Sequence, residues 1–178
     1  MTTNNINETP NLAQLLERLR LEDYKYGQMS KRFSSAYWVI IPLYLASIIA
    51  HVIDGDISGI YSGVCFLSGM LIFALSFRKY YKEFSYVDYS LATLSMLKKA
   101  AKRYSPFQKL TWWVLLGALF IDAGLVLNST IIFKDILQTQ LLFLGALTVS
   151  IGIGLLIWKN RYKPLRDDVL KLIKEIEA

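Results

Sequence analysis

One carboxylate stands near the middle of an apolar run. The run is TWWVLLGALFIDAGLVLN, Thr111–Asn128, and the carboxylate is Asp122. A charge at mid-span costs about 2.5–3.5 kcal/mol on insertion scales, so such a residue is expected to face other helices rather than lipid. Counting about 1.5 Å per residue from Trp112 places it roughly 15 Å deep. Similar depths in the other apolar runs fall at Ser47, at Ser62 and Cys65, and at Thr148, with His51 nearer the surface. Two roles are open to Asp122. As an interhelical hydrogen-bonding group it would contribute roughly 0.6–2 kcal/mol. As a proton or cation site it would serve a small transporter or channel. The first is preferred, because no second charge accompanies it within the runs.

The segment HVIDGD brings His51, Asp54 and Asp56 together at a turn. Imidazole and carboxylate can respond to pH or hold a divalent ion, but a polar turn closing a span is the simpler reading. With one cysteine, Cys65, and one histidine, the chain has no Cys/His spacing for a metal site. It also lacks a phosphate-binding loop and a dinucleotide fingerprint. No nucleophile–base pair stands out: Ser58, Ser62 and Ser68 precede glycines, and His51 is the one imidazole. No catalytic residue, metal or cofactor is therefore assigned, and a non-enzymatic protein is expected.

The elements that must position these residues are plain. Of 178 residues 54% are hydrophobic and 19% charged, more apolar than an ordinary soluble domain. Four runs approach the ~20 residues that a bilayer span needs: Tyr37–Ile53, Ser58–Phe77, Thr111–Asn128 and Gln140–Trp158. The second and fourth show no polar face, which argues against four buried helices of a soluble bundle. The expected fold is an all-α integral membrane four-helix bundle of two transmembrane hairpins, residues 36–77 and 111–158. Around them are expected a flexible tail (1–9), a cytoplasmic amphipathic helix (10–35), a basic helical loop (78–110) and a C-terminal amphipathic helix (159–178). The opening MTTNNINETP lacks the apolar core of a signal peptide, so the first span is expected to act as an uncleaved anchor.

Charge sets the expected orientation. Nineteen of the twenty Lys and Arg residues lie before the first run, between the second and third, or after the fourth; the exception is Lys134. The positive-inside rule then puts both termini and the central loop in the cytoplasm of a cell inner membrane. Trp38, Trp112, Trp113 and Trp158 fall at the same ends of their runs, as amphipathic rings do at an interface. A net charge of +6 fits attraction to anionic headgroups; no nucleic-acid motif accompanies it.

Three segments outside the runs show helical period. Thr9 and Pro10 suit the start of the first, whose stripe is Leu12, Leu16, Leu19, Tyr26, Met29 and Phe33. Asp88 suits the cap of the second, DYSLATLSMLKKAAKRY, whose stripe is Leu91, Leu94, Leu97, Ala101 and Tyr104. Leu165, Val169, Leu172, Ile173 and Ile176 mark the third. These stripes can cover one another, lie on lipid, or dock a protein partner from the cytosol or the membrane. Lys98, Lys99, Lys102 and Arg103 are the expected lipid or partner face. Gly59, Gly63 and Gly152 are expected packing positions, compatible with a homodimer as well as with packing inside one chain. KRFS before YWV and KRYS before WWV, each ahead of a hairpin, suggest a parallel internal repeat.

With YVDYSLATLSMLKKAAKRY set between two hairpins, the layout resembles that of small uncharacterised four-span membrane proteins of Bacteroidota. The resemblance implies a cytoplasmic-membrane location and brings no catalytic residues with it. The expected function is that of a multi-pass regulatory or scaffolding protein presenting basic helices at the cytoplasmic face. The alternative is a small transporter or channel built on Asp122.

Overall fold

In a computed structural model, described for residues 12–90, 93–106, 108–128 and 135–178, the chain is helical and the described residues contain no strand. Four of its helices are long and apolar enough to cross a membrane. The expected start at Thr9 and Pro10, Leu91 of the second stripe and Lys134 lie outside the described residues.

Helix α1 runs unbroken from Leu12 to Asp54, joining the first amphipathic segment and the first apolar run into one rod about 65 Å long. Its buried residues are Leu15, Leu19, Asp23, Gly27, Ser30, Ser34 and Ile41. Their spacing of three, four or seven keeps them on one face. Half of the expected stripe packs here, Leu19 in the core with Leu16 and Tyr26 against it, while Leu12, Met29 and Phe33 are exposed. The reason is close approach to α2 (Ile57–Ser85). Small residues let the backbones meet, and Ser34 Oγ donates to the Ala74 carbonyl at 3.1 Å. A Cβ on Gly27 would run into the Ser85 hydroxyl.

The turn between α1 and α2 is tight. Gly55 has φ +69°, a conformation that costs other residues but not glycine. Asp56 then caps α2, accepting from Gly59 N at 3.1 Å. Gly63 receives the Ile48 side chain. Stacked rings at Phe33–Phe77 and Tyr37–Phe77 continue the seam. Gly59 and Gly63 thus pack α1 on α2 within one chain.

A short helix, α3 (Thr93–Arg103), precedes α4 (Lys109–Leu127). α4 packs on the other side of α2. Gly69 faces Gly117 O and Ile121, Gly117 receives Phe73, and Gly124 lies against Phe66. Two hydroxyls bind its carbonyls: Ser62 Oγ to Gly124 at 2.9 Å and Ser58 Oγ to Leu127 at 3.0 Å.

α5 (Ile136–Ile157) behaves differently. Its one buried residue is Thr139, and Leu137, Leu141, Leu142, Val149, Ile153 and Leu156 are all exposed. Gly152, expected to mark packing, has nothing within 4 Å of where a Cβ would stand. That expectation is corrected: within the chain Gly152 packs on nothing. A π-helical turn, Trp158–Tyr162, leads on into α6 (Lys163–Glu177).

Glycine substitutions separate the packed seam from the bare helix. A Cβ on Gly69 would sit 2.8–2.9 Å from Ile121 Cδ1 and Gly117 O, and the latter is backbone that cannot turn aside. Gly69→Ala should cost about 1–3 kcal/mol in denaturant unfolding of the micelle-solubilised chain. Gly152→Ala should stay within about 0.5 kcal/mol of the parent. The reverse ranking would contradict the packing described.

Candidate functional site

Asp122 meets a partner that the depth count did not name. Gln140 Nε2 donates to Asp122 Oδ1 at 2.9 Å, joining α4 to α5. Asp122 is half-buried and lies five residues before the end of α4, so it sits about 8 Å from that end. The four expected partners are elsewhere. Ser62 binds the Gly124 carbonyl, and Thr148 bonds back to Leu144 O in its own helix. His51 Nδ1 pairs with Asp56 Oδ2 at 3.1 Å, while Ser47 has no hydrogen-bond partner among the described residues. Within HVIDGD the imidazole and Asp56 come together, and Asp54 is left exposed.

At the opposite end, where the basic residues gather, helices extend beyond the apolar runs and pack on one another. Leu15 and Leu19 of α1, Phe84 of α2, Met96, Leu97 and Ala100 of α3, Tyr104, and Leu165, Val169 and Ile173 of α6 form one buried cluster. Part of each expected stripe is covered by the others, through Leu19, Leu97, Leu165, Val169 and Ile173.

A polar node sits in this cluster. Asp23, 2% exposed, accepts hydrogen bonds from Tyr89 Oη at 2.6 Å, Tyr104 Oη at 2.6 Å and Arg103 Nη2 at 2.8 Å. Burial pushes the Tyr104 phenol far above the usual tyrosine range, and the Asp23 charge pushes the same way. Burial and the hydrogen bond to Asp23 act alike on Tyr89. Both therefore stay protonated donors in the fold. Asp23 carries a sequence signal: it continues the four-residue spacing of Leu15 and Leu19. Its charge hid it among the solvent-facing residues.

The surrounding contacts lock the node to the spans. Trp158 Nε1 donates to Tyr104 O at 2.9 Å, and the Tyr104 and Tyr162 rings stack at 5.7 Å. Arg161 Nε pairs with Glu22 at 2.7 Å. The Gln108 side chain donates to Arg103 O. Asp88, the expected cap of α3, instead accepts from Ser90 N and Oγ. Ser90's hydroxyl and backbone bonds hold the Asp88 carboxyl below its usual range.

One expected surface residue is corrected. Arg103 is 8% exposed and turned inward to Asp23, so it does not belong to a basic face. Lys98, Lys99 and Lys102 are exposed and, with Leu94 and Ser95, line a cavity of about 410 Å³. Lys98 reaches Glu177 at 2.6 Å.

Four long apolar helices give the chain the build of a multi-pass membrane protein. In comparisons with family models, curated proteins and solved structures, it matches none.

Two perturbations test the polar contacts. In a double-mutant cycle, Asp122→Ala and Gln140→Ala should couple by about 0.6–1.7 kcal/mol, the range of interhelical hydrogen bonds in membranes. Zero coupling would remove the proposed link between α4 and α5. At the node, Asp23→Ala leaves Arg103 buried without its partner and should cost about 3–5 kcal/mol. Asp23→Leu combined with Arg103→Met should recover most of that loss. An Asp23→Ala variant as stable as the parent would show the pair to be solvated.

Proposed function

We propose that the chain is a four-span protein of the cytoplasmic membrane, with both termini in the cytoplasm, that acts as a scaffold or regulator without chemistry of its own. The charge distribution supports the orientation: the packed extensions carry nearly all the lysine and arginine, and the positive-inside rule assigns such an end to the cytoplasm. On this reading α1, α2 and the α5–α6 rod cross the bilayer and continue past it, and α3 completes a small amphipathic bundle under the inner leaflet.

The observation that carries the functional reading is the division of labour on α3. Its apolar side is spent on Leu15, Leu19 and α6. Its outward side offers Lys99 and Lys102, beside Lys98 that Glu177 holds, around a groove with Leu94 and Ser95. Five residues join its C-terminal end to α4, and Lys102, Lys99 and Lys98 lie one, four and five residues from that end, about 2–8 Å along the axis, within reach of headgroups. The groove with Leu94 beside them also suits an acidic protein segment with an apolar side chain, and that is the occupant proposed. Anionic headgroups are better matched by α1 at the membrane border, where Lys25 and Arg32 flank exposed Met29 and Phe33 in the manner of an interfacial helix.

The Asp122 transporter reading has less support. Its partner is a neutral amide, and the arrangement resembles a helix-joining hydrogen bond more than a relay of ionisable groups.

The test is a photo-crosslinking residue placed at Ser95 in the full chain in native membranes. The wild-type surface should yield a discrete protein adduct. Lys99→Glu and Lys102→Glu together should abolish it while leaving thermal unfolding unchanged. Absence of an adduct, or one indifferent to charge reversal, would refute the partner face.

A further inference from the structure

At the end away from the basic bundle, α1, α2 and α4 enclose a crevice of about 410 Å³. Its floor is α2, where Gly59, Ser62 and Gly63 keep the backbone low. One wall is α1, presenting Tyr44, Ser47 and His51; the other is α4, ending in Leu125 and Asn128. Tyr44, Ser47 and His51 are spaced by three and four residues and so share a helix face. The side chains of Tyr44, Ser47 and Asn128 have no hydrogen-bond partner among the described residues. In the reading above, half-buried Tyr44 and exposed Ser47 sit inside the hydrocarbon layer, with Tyr44 ten residues from the end of α1, about 15 Å deep, and Asn128 stands at the outer end of α4. Unsatisfied polar groups are costly there.

The charge balance narrows the occupant. His51 is the lining group that can be cationic, and Nδ1 is committed to Asp56. Asp56 is in turn committed to His51 and to Gly59 N. With Nδ1–H given to Asp56 and Nε2 left as an acceptor, the pair carries one negative charge, which turns away an anionic headgroup. Shape narrows it further. Tyr44 and Phe66 put two rings on the lining, 5.7 Å apart and tilted 52° to one another, and an aromatic ring can meet either one edge-on or offset. Leu43 at the lip is 67% exposed, so the crevice opens sideways onto lipid. From Tyr44 to His51 the wall rises about 10 Å. That is the reach of a six-membered ring with an oxygen at both ends and a hydrogen bond of about 2.8 Å at each.

We propose that this crevice is a binding site for an isoprenoid quinol, its ring between α1 and α4 and its tail leaving past Leu43. One quinol hydroxyl donates to His51 Nε2, the imidazole atom that Asp56 leaves free. The other meets the Ser47 and Tyr44 hydroxyls, which both donate and accept. Asp56 is a positioning residue, fixing the ring of His51 through Nδ1. The site rests on the membrane reading but is separate from the α3 face.

The test uses the full chain in lipid nanodiscs and a labelled short-tailed ubiquinol held reduced under anaerobic conditions. Saturable binding at one site per chain is expected. His51→Leu and Ser47→Ala should each weaken it at least tenfold, while Lys98→Glu should leave it unchanged. Circular dichroism on each variant separates lost binding from lost folding. A folded, inserted chain with no saturable binding overturns the proposal, as would be the case if the crevice held water alone. Equal affinity in the His51 and Ser47 variants overturns it too. A chain that does not enter nanodiscs at all overturns both this site and the membrane reading.

Discussion

A buried carboxylate cannot be left without donors, and Asp23 finds three in groups that lie 66 to 81 residues away along the chain. Desolvating an ion is expensive, and the cost is offset only where geometry is close and lone pairs are filled. Meeting that condition places the segment between α2 and α3 through Tyr89, and the C-terminal end of α3 through Arg103 and Tyr104. Tyr104 then anchors Trp158 and stacks on Tyr162. One carboxylate thus ties α1 to the end of α3 and, through Tyr104, to the start of the π-turn, where the apolar runs give way to the buried cluster.

The π-turn follows from the same constraint. α5 is apolar on all sides and shows no preferred face, whereas α6 must present Leu165, Val169 and Ile173 to the core. A helix continued without interruption would fix the second face by the first. The π-turn at Trp158–Tyr162 adds backbone within one turn and changes the register. Its side chains use that change: Trp158 and Tyr162 reach Tyr104, and Arg161 reaches Glu22. α5 is held at its two ends, by Gln140 on Asp122 and by Trp158 on Tyr104, and its middle is left bare.

How much of this was legible in the sequence depends on which signal was in use. The four apolar runs and the stripe of α6 were readable, because length and period report burial directly. The face of α1 was readable in part. Hydrophobic period selects Leu16, Leu19 and Tyr26, which pack, and also Leu12, Met29 and Phe33, which do not; the seam with α2 is built from Gly27, Ser30 and Ser34, which a hydrophobicity pattern passes over. Arg103 misled for a related reason. In KKAAKR it reads as one more surface cation, and only the position of Asp23, eighty residues earlier, turns it inward. Asp122 was rightly singled out as polar in an apolar run. Its partner was missed because depth was counted from Trp112, which makes the residue central, while α4 ends five residues beyond it. Counted from that end, Gln140 near the start of α5 is the level neighbour. The suggested repeat has unequal halves, since α1 passes without a break through the region where Pro106 and its neighbours separate α3 from α4.

Polar groups are therefore used differently at the two ends. At the basic end the chain supplies its own partners: Asp23 takes three donors, and Glu22 and Glu177 pair with Arg161 and Lys98. At the far end α2 gives its hydroxyls to α4, through Ser58 and Ser62, and α4 gives Asp122 to α5. α1 alone lines that end with hydroxyls that face a gap. Gly59 and Gly63 admit α1 closely enough to aim His51, Ser47 and Tyr44 along one wall, yet no side chain of the described residues fills the space before them. Most polar groups of the seam are spent on neighbouring helices, and the row left open here is the one that the proposed site would use.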